Sequence, residues 1–417
     1  MKNVKNVLSE VLEEIKPDKD YEKNIFEKID SIIKKINKSQ KNIKAVLGGS
    51  GAKGTWLKTF DADIFVLFNY KKYMGKNDKL SEILEKILKK NFKSLARIHG
   101  SRDYFQIKNG NFTFEIVPIL EIKNAKDAVN ITDVSPLHAR WVKKHKKIVN
   151  DMKLTKQFCT ANNIYGAESH VRGFSGYVCE ILSVYYGSFL NLAKNAAKWN
   201  DKTVVDVEKY YKGKDVFRIV NTSKLASPLI VIDPVQKDRN AAAAISIEKF
   251  ELFKKRAAEF LKITSKEFFV KKNINEEFLK LKHGKKLVKI SCAPLEGKID
   301  VVGSKIFKIF EFIKQKCKER DFNIIKSDWE FGRNESCMYF LFEDKKLPES
   351  ETLQGPPVEL KVHVDNFRKM HRNTFVKSGK IFAREKRKFS AAEGLIKEIC
   401  KSGFVKEKTK SVKIFIQ

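Results

Sequence analysis

The sequence predicts an α+β protein of several domains, with a small α+β head, a mostly helical central domain and an α/β C-terminal body. The length of 417 residues leaves room for roughly two to four domains that each bury a core. Helical and strand-like runs mix over residues 1–150, helical periodicity dominates 151–258, and strand-like runs return over 259–417. We place the domain boundaries between these three segments.

Two amphipathic segments open the head and predict helices. Apolar residues recur at helical spacing over residues 5–16, a segment that ends at Pro17, and again from about 20 to 37. An apolar run that ends at Leu47 and a second one over 64–68 predict strands. Between these strands we expect a Gly-Gly-Ser turn that brings the backbone close to a ligand.

The strongest chemical signal comes from residues 47–68, LGGSGAKGTWLKTFDADIFVLF. Alternate residues of a strand face one side about 7 Å apart, so the Asp61 and Asp63 carboxylates converge on one cation cluster. The turn before them offers backbone N–H groups and the Ser50 hydroxyl to a phosphate, and Lys53 adds a positive charge. Because Mg²⁺ combines a few carboxylates with phosphate oxygens, these residues predict a nucleoside triphosphate site. A solvated strand edge is the alternative.

A third carboxylate is expected on a neighbouring strand. Residues 104–108 and 112–117 predict two strands joined at Asn109-Gly110, a dipeptide that favours a tight hairpin. The second run contains one acidic residue, Glu115, in an apolar setting. Since two cations need a further ligand and an attacking hydroxyl needs a proton acceptor, we expect Glu115 to complete the site. An edge-strand Glu that points to solvent is the alternative.

Together these residues resemble those of a known superfamily. The pattern GGS-x-x-KGT-x-L, then D-x-D, then acid-x-Val-Pro is similar to that of polymerase-β-like nucleotidyltransferases. More narrowly, it resembles that of class I archaeal CCA-adding enzymes, which rebuild the 3′ CCA end of tRNA. Further motifs follow in the family's order over nearly the whole chain: Thr132-Asp-Val-Ser-Pro-Leu-His138, Ile164-Tyr-Gly-Ala-Glu168, Val171-Arg-Gly-Phe-Ser-Gly-Tyr177, Tyr186-Gly-Ser-Phe189, Asp233-Pro-Val, Arg239-Asn-Ala-Ala-Ala and Gly355-Pro-Pro357.

The resemblance implies a polymerase-β-like nucleotidyltransferase head and a template-independent reaction. In that reaction CTP and ATP extend the 3′ end of tRNA and pyrophosphate is released. The resemblance also implies a homodimer, and two Mg²⁺ ions bound by Asp61, Asp63 and Glu115. It places the nucleotide at five residues: Ser50, Lys53, His138, Lys156 and Tyr165. Without the resemblance, His138 is interpreted as a structural helix residue and Lys156 as a surface residue.

This sequence departs from the family at the acidic positions. The first position is commonly Glu and here is Asp61, the third is usually Asp and here is Glu115, and Gly51 replaces a bulkier residue. A metal site with near-octahedral demands tolerates such changes poorly. We therefore expect weak activity, or activity tuned to Mn²⁺ in place of Mg²⁺.

The central region contributes two helices and a basic residue. Residues 132–147 open on capping-type residues and predict a helix with Pro136 in its first turn. Residues 174–192 predict a core helix that is apolar on most sides. Arg239 follows an irregular segment, and the forked donors of a guanidinium suit base edges and phosphates. We predict that Arg239 contacts the nucleobase or the primer.

The C-terminal body shows strand-like runs at 287–291 and 337–342. Between them, Ser304 is expected to cap an amphipathic helix that runs to about Asp321. Near the end of the chain, residues 390–393 match a capping box ahead of a last helix.

A basic segment interrupts the body. Residues 347–388 are rich in Pro, Gly and basic residues, and we predict that this segment, the tail, is a helical insertion. Arg368, Lys369 and Arg372 lie there among aromatic residues, and such a face can follow an RNA duplex through phosphate and 2′-hydroxyl contacts. We predict that these residues bind tRNA. A loosely packed, solvated insertion is the alternative.

The charge of the chain indicates a polyanionic partner. The net charge is +33, from 84 basic and 51 acidic residues, and neutralisation of phosphates by such residues dominates non-specific nucleic-acid binding. No stretch approaches the roughly 20 apolar residues of a membrane helix. We therefore expect a cytoplasmic protein whose partner is nucleic acid and not a membrane. The six cysteines include no Cys-x-x-Cys pair, which gives no sign of a zinc site or a disulfide framework.

Two other functions stay open. A poly(A) polymerase or another terminal nucleotidyltransferase would share the head but would add a homopolymer. A catalytically silent tRNA-binding protein would keep the fold without turnover. The exchanged carboxylates are the only support for the silent protein.

Overall fold

The protein is described by a computed structural model that covers residues 4–58, 62–110, 112–220 and 225–417. The chain divides into two units, Met1–Lys272 and Asn273–Gln417. Helices and strands occur in both units, so the predicted α+β class is confirmed. The predicted boundaries near residues 150 and 258 stay a prediction. Within the described ranges, no helix is both long enough and apolar enough to span a membrane.

The helices and strands of the first unit follow one another along the chain. The helices are α1 (Val4–Ile15), α2 (Lys19–Ser39), α3 (Gly49–Lys53), α4 (Tyr70–Tyr73), α5 (Leu80–Asn91), α6 (Ser135–Lys144), α7 (Val149–Ala161), α8 (Gly176–Tyr186), α9 (Phe189–Ala196), α10 (Val216–Ile219) and α11 (Ile247–Lys262). The strands are β1 (Ile43–Leu47), β2 (Ala62–Asn69), β3 (Ala96–Ile98), β4 (Tyr104–Asn109), β5 (Phe112–Glu121), β6 (Thr203–Val205), β7 (Leu229–Asp233) and β8 (Gln236–Asn240).

The head is built on a sheet with the strand order β1-β2-β5-β4-β3. Strands β2 and β5 are parallel, and the other neighbours are antiparallel. Alternate residues of β2 and β5 are buried in one core with residues of α2 and α5; they are Ala62, Ile64, Val66, Phe68, Phe114, Ile116 and Leu120. The opposite face therefore carries Asp63 and Glu115. The predicted strands and hairpin are confirmed, with Gly110 at φ +63°.

The first helices agree with the sequence, but the glycine-rich turn does not. α1 and α2 cover the two predicted segments, and the Asp18 carboxylate caps α2 by accepting the N–H groups of Asp20 and Tyr21. The prediction of a turn after β1 is wrong, because the chain enters the short helix α3 there. Gly49 has a φ of +50°, which glycine adopts at little cost. The chain can therefore pass from strand to helix without an intervening loop.

Helix α6 joins two apolar cores. Val134 and Leu137 belong to the core of the head, whereas Trp141 and Val142 belong to the core of the helices that follow. The predicted helix over 132–147 is shorter than expected: α6 spans Ser135–Lys144 and follows a 3₁₀ turn that Asn130 caps. Pro136 lies in its first turn, as predicted.

The central domain packs around aromatic side chains. Phe174 stacks on Phe253 with 4.8 Å between ring centres, and Phe158 meets Phe253 edge to face at 5.7 Å. Val11 and Ile15 of α1 pack into this same core. The prediction of one helix over 174–192 is wrong. α8 ends at Gly187, whose φ is +75°, and the Ser188 hydroxyl caps the separate helix α9.

The second unit is described throughout. Its helices are α12 (Ile274–Leu281), α13 (Ile299–Glu319), α14 (Lys361–Met370), α15 (Ala392–Lys401) and α16 (Gly403–Lys406). Its strands are β9 (Lys285–Pro294), β10 (Ile324–Glu330), β11 (Ser336–Glu343), β12 (Ser350–Pro357), β13 (Thr374–Lys377), β14 (Lys380–Lys386) and β15 (Thr409–Ile416).

A sheet with the order β10-β11-β9-β15 forms the C-terminal body, and α13 and α15 share its core. The predicted strands at 287–291 and 337–342 are confirmed as β9 and β11. Both predicted caps are wrong. α13 already begins at Ile299, so Ser304 lies inside it and donates its hydroxyl to the Asp300 carbonyl. α15 begins after Ala391, without a side-chain cap.

The tail is mainly a small sheet. Strands β12, β14 and β13 pair antiparallel in that order, and α14 packs on them through Val364 and Phe367. The prediction of a helical insertion is therefore wrong for most of residues 347–388. In β14 only the alternating Ile381 and Ala383 are buried. This two-residue period is hard to see in the sequence because basic residues surround it.

A buried carboxylate fixes the chain that leads into α6. Asp133 is wholly buried and accepts N–H groups from the Arg102 guanidinium at 2.5 Å and from the backbone of Leu120 and Asn130 at 2.9 Å. These partners come from the loop before β4, from β5 and from the turn before α6. This carboxylate therefore ties the start of α6 to β5 and to the loop before β4.

We expect Asp133→Ala to lower the free energy of unfolding by about 3–5 kcal/mol, because loss of one partner leaves the buried Arg102 charge uncompensated. Chemical denaturation of the full chain measures this change. Asp127→Ala, in the same segment but outside this pair, is the control and should cost much less. Equal losses in the two variants would contradict the assignment.

Candidate active site

The sheet of the head brings two of the predicted carboxylates together. Asp63 of β2 and Glu115 of β5 are register partners on parallel strands, and neighbouring strands lie about 4.8 Å apart. Gln106 of β4 is the register partner of Glu115 on the other side, and its amide donates to Glu115 Oε1 at 2.8 Å. Asp61, the other predicted carboxylate, lies outside the described residues. The described part of the site is thus a polar row across three strands.

Two glycines let α3 approach this row. A Cβ on Gly49 would lie 1.7 Å from Asp63 Oδ2, and a Cβ on Gly48 would lie 2.7 Å from the Phe65 ring. The Gly48 N–H donates to the Asp63 carbonyl at 2.7 Å. Ser50 and Lys53 lie on α3 itself. The structure therefore places both predicted triphosphate residues on a helix that begins against Asp63.

A buried carboxylate links α3 to the central domain. Glu180 of α8 is wholly buried; its Oε1 accepts from the Thr55 hydroxyl and from Lys156 Nζ, each at 2.6 Å, and its Oε2 accepts from Lys53 Nζ at 2.8 Å. Lys156 Nζ also donates to the Thr55 hydroxyl at 2.7 Å and to the Thr55 carbonyl at 3.4 Å. We call these four residues the Glu180 cluster. The surface interpretation of Lys156 is wrong, because the residue is only 3% exposed.

The charges of this cluster shift the pKa values of its members. Burial alone would raise the pKa of Glu180, but the ammonium groups of Lys156 and Lys53 outweigh burial and hold that pKa at about 2. Burial lowers the pKa of Lys156. The cluster therefore brings two basic side chains, Lys53 and Lys156, onto one buried carboxylate.

A second buried carboxylate gathers two further predicted residues. Asp233 Oδ2 accepts from Arg239 Nη1 at 2.6 Å and from His138 Nε2 at 3.3 Å, and its Oδ1 accepts from the Tyr177 hydroxyl at 3.2 Å and from the Val235 N–H at 2.9 Å. We call this group the Asp233 cluster. Burial lowers the pKa of His138 against the opposing effect of Asp233. The imidazole is therefore mostly neutral at pH 7.

Tyr177 connects the two clusters. Its ring stacks on that of His138 with 3.9 Å between ring centres, and Lys53 Nζ lies 5.1 Å from the centre of the Tyr177 ring. Tyr165 also lies close to the Glu180 cluster, because a Cβ on Gly176 would lie 2.8 Å from its hydroxyl and 3.6 Å from Lys156 Nζ. The five predicted nucleotide residues therefore share one region of the first unit.

The predicted tRNA-binding residues belong to the second unit. Arg368 and Lys369 are exposed in the last turn of α14, and Arg372 is exposed just after it. Arg368 lies 4.0 Å from the Asp365 carboxylate, at the limit of an ion pair. Their predicted contacts with RNA stay a prediction.

Sequence reasoning missed the two carboxylates that hold the clusters. Glu180 is the one charged residue in α8, GYVCEILSVYY. A charge in a helix that is apolar all round must be buried with partners, and that signal could have found it. Asp233 ends the wholly buried strand LIVID, where a carboxylate also requires donors.

Three family models match consecutive parts of the chain. The model of the second messenger oligonucleotide or dinucleotide synthetase domain matches residues 1–146, and that of the tRNA nucleotidyltransferase second domain matches 150–270. The model of the CCA-adding enzyme C-terminal domain matches 295–414.

Similarity to curated proteins covers nearly the whole length. The CCA-adding enzyme of Nanoarchaeum equitans is 35% identical over 374 residues, which are 89% of this chain and 91% of that protein. The chain belongs to the CCA-adding enzyme family. A second member, from Methanocaldococcus jannaschii, is 31% identical over 417 residues, 95% of this chain and 90% of that protein. The predicted resemblance and enzyme class are confirmed.

Similarity to solved structures concerns the fold alone. The Cid1 poly(U) polymerase bound to MgATP is 14% identical with a TM-score of 0.53 and covers 65% of this chain and 99% of its own. A cytoplasmic RNA terminal U-transferase is also 14% identical, with a TM-score of 0.51 and coverage of 66% and 100%. The nucleotidyltransferase fold predicted for the head of this CCA-adding family member is thus confirmed.

We expect Gly49→Ala to lower activity by about 100-fold or more, because the added methyl group must displace the Asp63 carboxylate by more than 1 Å. Labelled-nucleotide incorporation measures this loss. Gly187→Ala is the matched control, since Gly187 also has a positive φ but no atom lies within 4 Å of its Cβ position. Activity of Gly49→Ala equal to that of the control would show that the close approach is not required.

The low pKa of Glu180 predicts how its stabilising effect depends on pH. Its pKa in the folded state, about 2, is below the ordinary value of 4.5. The stabilisation from the ionised carboxylate is therefore full above pH 4.5 and is lost as the pH falls toward 2. We expect Glu180→Gln to destabilise the protein strongly at pH 7 and progressively less below pH 4.5. Denaturant unfolding at several pH values measures this, and a difference that does not change with pH would contradict it.

Proposed function

We propose that this chain is an active CCA-adding enzyme that adds or repairs the 3′-terminal CCA of tRNA. It uses CTP and ATP, needs no template, and releases pyrophosphate. The observation that supports this most directly is the register pair Asp63 and Glu115 beside α3, in a chain that belongs to this family.

The described carboxylates fit a divalent metal site. Asp63 and Glu115 offer hard oxygen donors from adjacent strands, and Gln106 orients Glu115 by a hydrogen bond to one of its two oxygens. Asp61, two residues before Asp63, is the remaining proposed ligand. Two bound Mg²⁺ ions, or Mn²⁺ ions given the exchanged carboxylates, would stabilise the attacking and leaving oxygens.

The side chains around α3 hold the triphosphate. The Ser50 hydroxyl and the Lys53 ammonium bind phosphate oxygens, and Glu180 limits the directions that the flexible Lys53 side chain can take. Lys156 donates to Thr55 and Glu180, so it also fixes the loop after α3. Glu115 favours loss of the proton from the 3′-hydroxyl. Positioning and charge stabilisation then supply most of the catalysis.

The base and the sugar meet a different group of residues. Asp233 binds both His138 and Arg239. His138 contacts the nucleotide, Arg239 contacts the nucleobase or the primer, and Tyr165 is a further nucleotide-binding residue. Arg368, Lys369 and Arg372 bind tRNA, in keeping with the net charge of +33. The enzyme works in the cytoplasm and as a homodimer.

The decisive measurement is incorporation of labelled CTP and ATP into tRNA transcripts that end before, within and after the CCA, with UTP and GTP as controls. We expect C, C and A to be added in steps and addition then to stop. Unlimited addition of A would instead favour a poly(A) polymerase. No incorporation despite tight tRNA binding would favour the silent protein.

We expect Asp63→Asn to reduce incorporation by at least about 100-fold, since even residues that only support metal ligands cost 10- to 100-fold. Binding of tRNA, measured by filter retention, should change little. Asp78→Asn, at an exposed position of the head, is the control and should keep full activity. Loss of tRNA binding together with incorporation would show that Asp63 is structural.

A further inference from the structure

We propose that Arg387 is a positioning residue for tRNA binding. It fixes the direction in which the tail leaves the C-terminal body, and with it the place where the tail presents Arg368, Lys369 and Arg372. The inference rests on the proposed function, because it assumes that these three residues bind tRNA. Arg387 acts through the tail, without touching the RNA.

The tail is a module with a core of its own. Its strands and those of the body form two separate sheets. Apolar side chains of α14, β12 and β14 pack together inside the tail, whereas α13, α15 and the body sheet surround a different core. Two short segments, before β12 and after β14, connect the modules, and the Leu347 N–H donates to the Ser390 carbonyl at 2.8 Å between them. The contacts at this junction therefore determine how the tail is directed.

Arg387 follows β14 and reaches from the tail to the body. Its side chain is only 8% exposed. Nη1 donates to the Arg320 carbonyl and Nη2 to Asp321 Oδ2, each at 3.0 Å. Nη1 also lies 3.5 Å from Glu351 Oε2 on β12. The planar guanidinium therefore binds the end of α13 and the first strand of the tail at the same time.

The partners of Arg387 in the body are held by the end of α13. The Arg320 carbonyl lies at the C-terminal end of this helix, where carbonyls lack helical partners and the helix dipole favours a cation. The chain turns at Asp321, whose φ is +65°, a conformation that Asp adopts more readily than most residues. Phe322 follows and is buried in the body core. The acceptors of Arg387 therefore move with the body.

The tail is bound on the other side of the guanidinium. Glu351 is 12% exposed, and its two oxygens lie 3.5 Å from Arg387 Nη1 and 3.5 Å from Arg320 Nη1. The backbone N–H of Arg387 also donates to the Glu349 carbonyl at 2.7 Å. The Arg320 side chain is 49% exposed, so its own contact with Glu351 is screened by water. Arg387 is thus a buried link between the two modules.

A fixed tail matters because its basic residues act together with the rest of the enzyme. Arg368, Lys369 and Arg372 lie in or just after α14, which packs on the tail sheet, so they move with the tail. Two linked sets of contacts bind one RNA strongly only when their spacing matches it, and a mobile linkage lowers the effective concentration of the second set. Arg387 therefore strengthens tRNA binding through the tail.

The direction of the tail can be measured without any substrate. Spin labels on Lys308→Cys in α13 and Lys377→Cys in β13, both exposed positions, report the distance between the modules by pulsed electron paramagnetic resonance. Cys337, the only partly exposed one of the six cysteines, is replaced by Ser in this parent protein. We expect a narrow distance distribution in the parent and a broader one after Arg387→Met, which keeps a long side chain without a donor. A broad distribution in the parent, or an unchanged one after Arg387→Met, would overturn the proposal.

Arg384 offers a matched control. It lies on β14 close to Arg387, and its side chain is exposed. Arg384→Met removes the same charge from the same strand and should leave the distance distribution unchanged. An equal broadening in both variants would show a general loosening of the tail and would overturn the positioning role.

The same variant tests the effect on the reaction. We expect Arg387→Met to raise KM for tRNA by about 10-fold or more, because the tail contacts weaken as a linked set, while kcat at saturating tRNA changes little. A variant that is merely unstable would lose active enzyme, and hence kcat, without a change in KM. An unchanged KM in the folded Arg387→Met enzyme would overturn the proposal.

A combined variant separates this inference from the proposed function. Arg368→Ala, Lys369→Ala and Arg372→Ala together should weaken tRNA binding in filter retention, and addition of Arg387→Met should weaken it little further. Additive losses would overturn the positioning role. A triple variant that binds tRNA as tightly as the wild type would refute the proposed tRNA contacts, and this inference with them. A weakly binding triple variant beside an unaffected Arg387→Met enzyme would refute this inference alone.

Discussion

The arrangement of the site depends on one buried charge, the carboxylate of Glu180. A side chain that is 0% exposed is tolerated as an anion only when donors surround it, and here the donors come from two parts of the fold. Lys53 and Thr55 belong to the segment that carries the proposed triphosphate site, and Lys156 belongs to α7 of the central domain. The charge therefore attaches the glycine-rich segment around α3 to a core of packed aromatic rings.

The same principle recurs at Asp233. Glu180 interrupts the apolar helix α8, and Asp233 ends the apolar strand β7. Each carboxylate binds side chains that only the family resemblance assigns to the nucleotide site. Buried ion pairs of this kind add little net stability compared with apolar packing. Their value here is geometric, because each fixes the directions of long side chains that would otherwise move freely in solvent.

Much of the fold was predictable because local periodicity determines it. The two-residue period of β2 and β5 and the helical period of α1 and α2 are visible in the sequence, and the spacing of Asp61 and Asp63 indicates one face of a strand. The errors have physical reasons. The sequence predicts a helical tail because basic residues mask the alternation in β14. It suggests a surface position for Lys156 because the partner of this residue, Glu180, lies 24 residues away. Spacing along the chain does not reveal which distant elements meet, so the partners of Glu180 and Asp233 could not be predicted.

The packing of helix α6 determines whether the head can be separated from the central domain. Its first turn packs in the core of the head and its second half in the core of the central domain, while α1, from the start of the chain, also packs in the central core. A fragment that stopped after α6 would expose Trp141, Val142 and the apolar side of α1 to water. The modular order of the family models along the chain therefore does not imply independent folding. The nucleotidyltransferase head of this protein matches a family model of its own, but it depends on the central domain to cover its apolar surface.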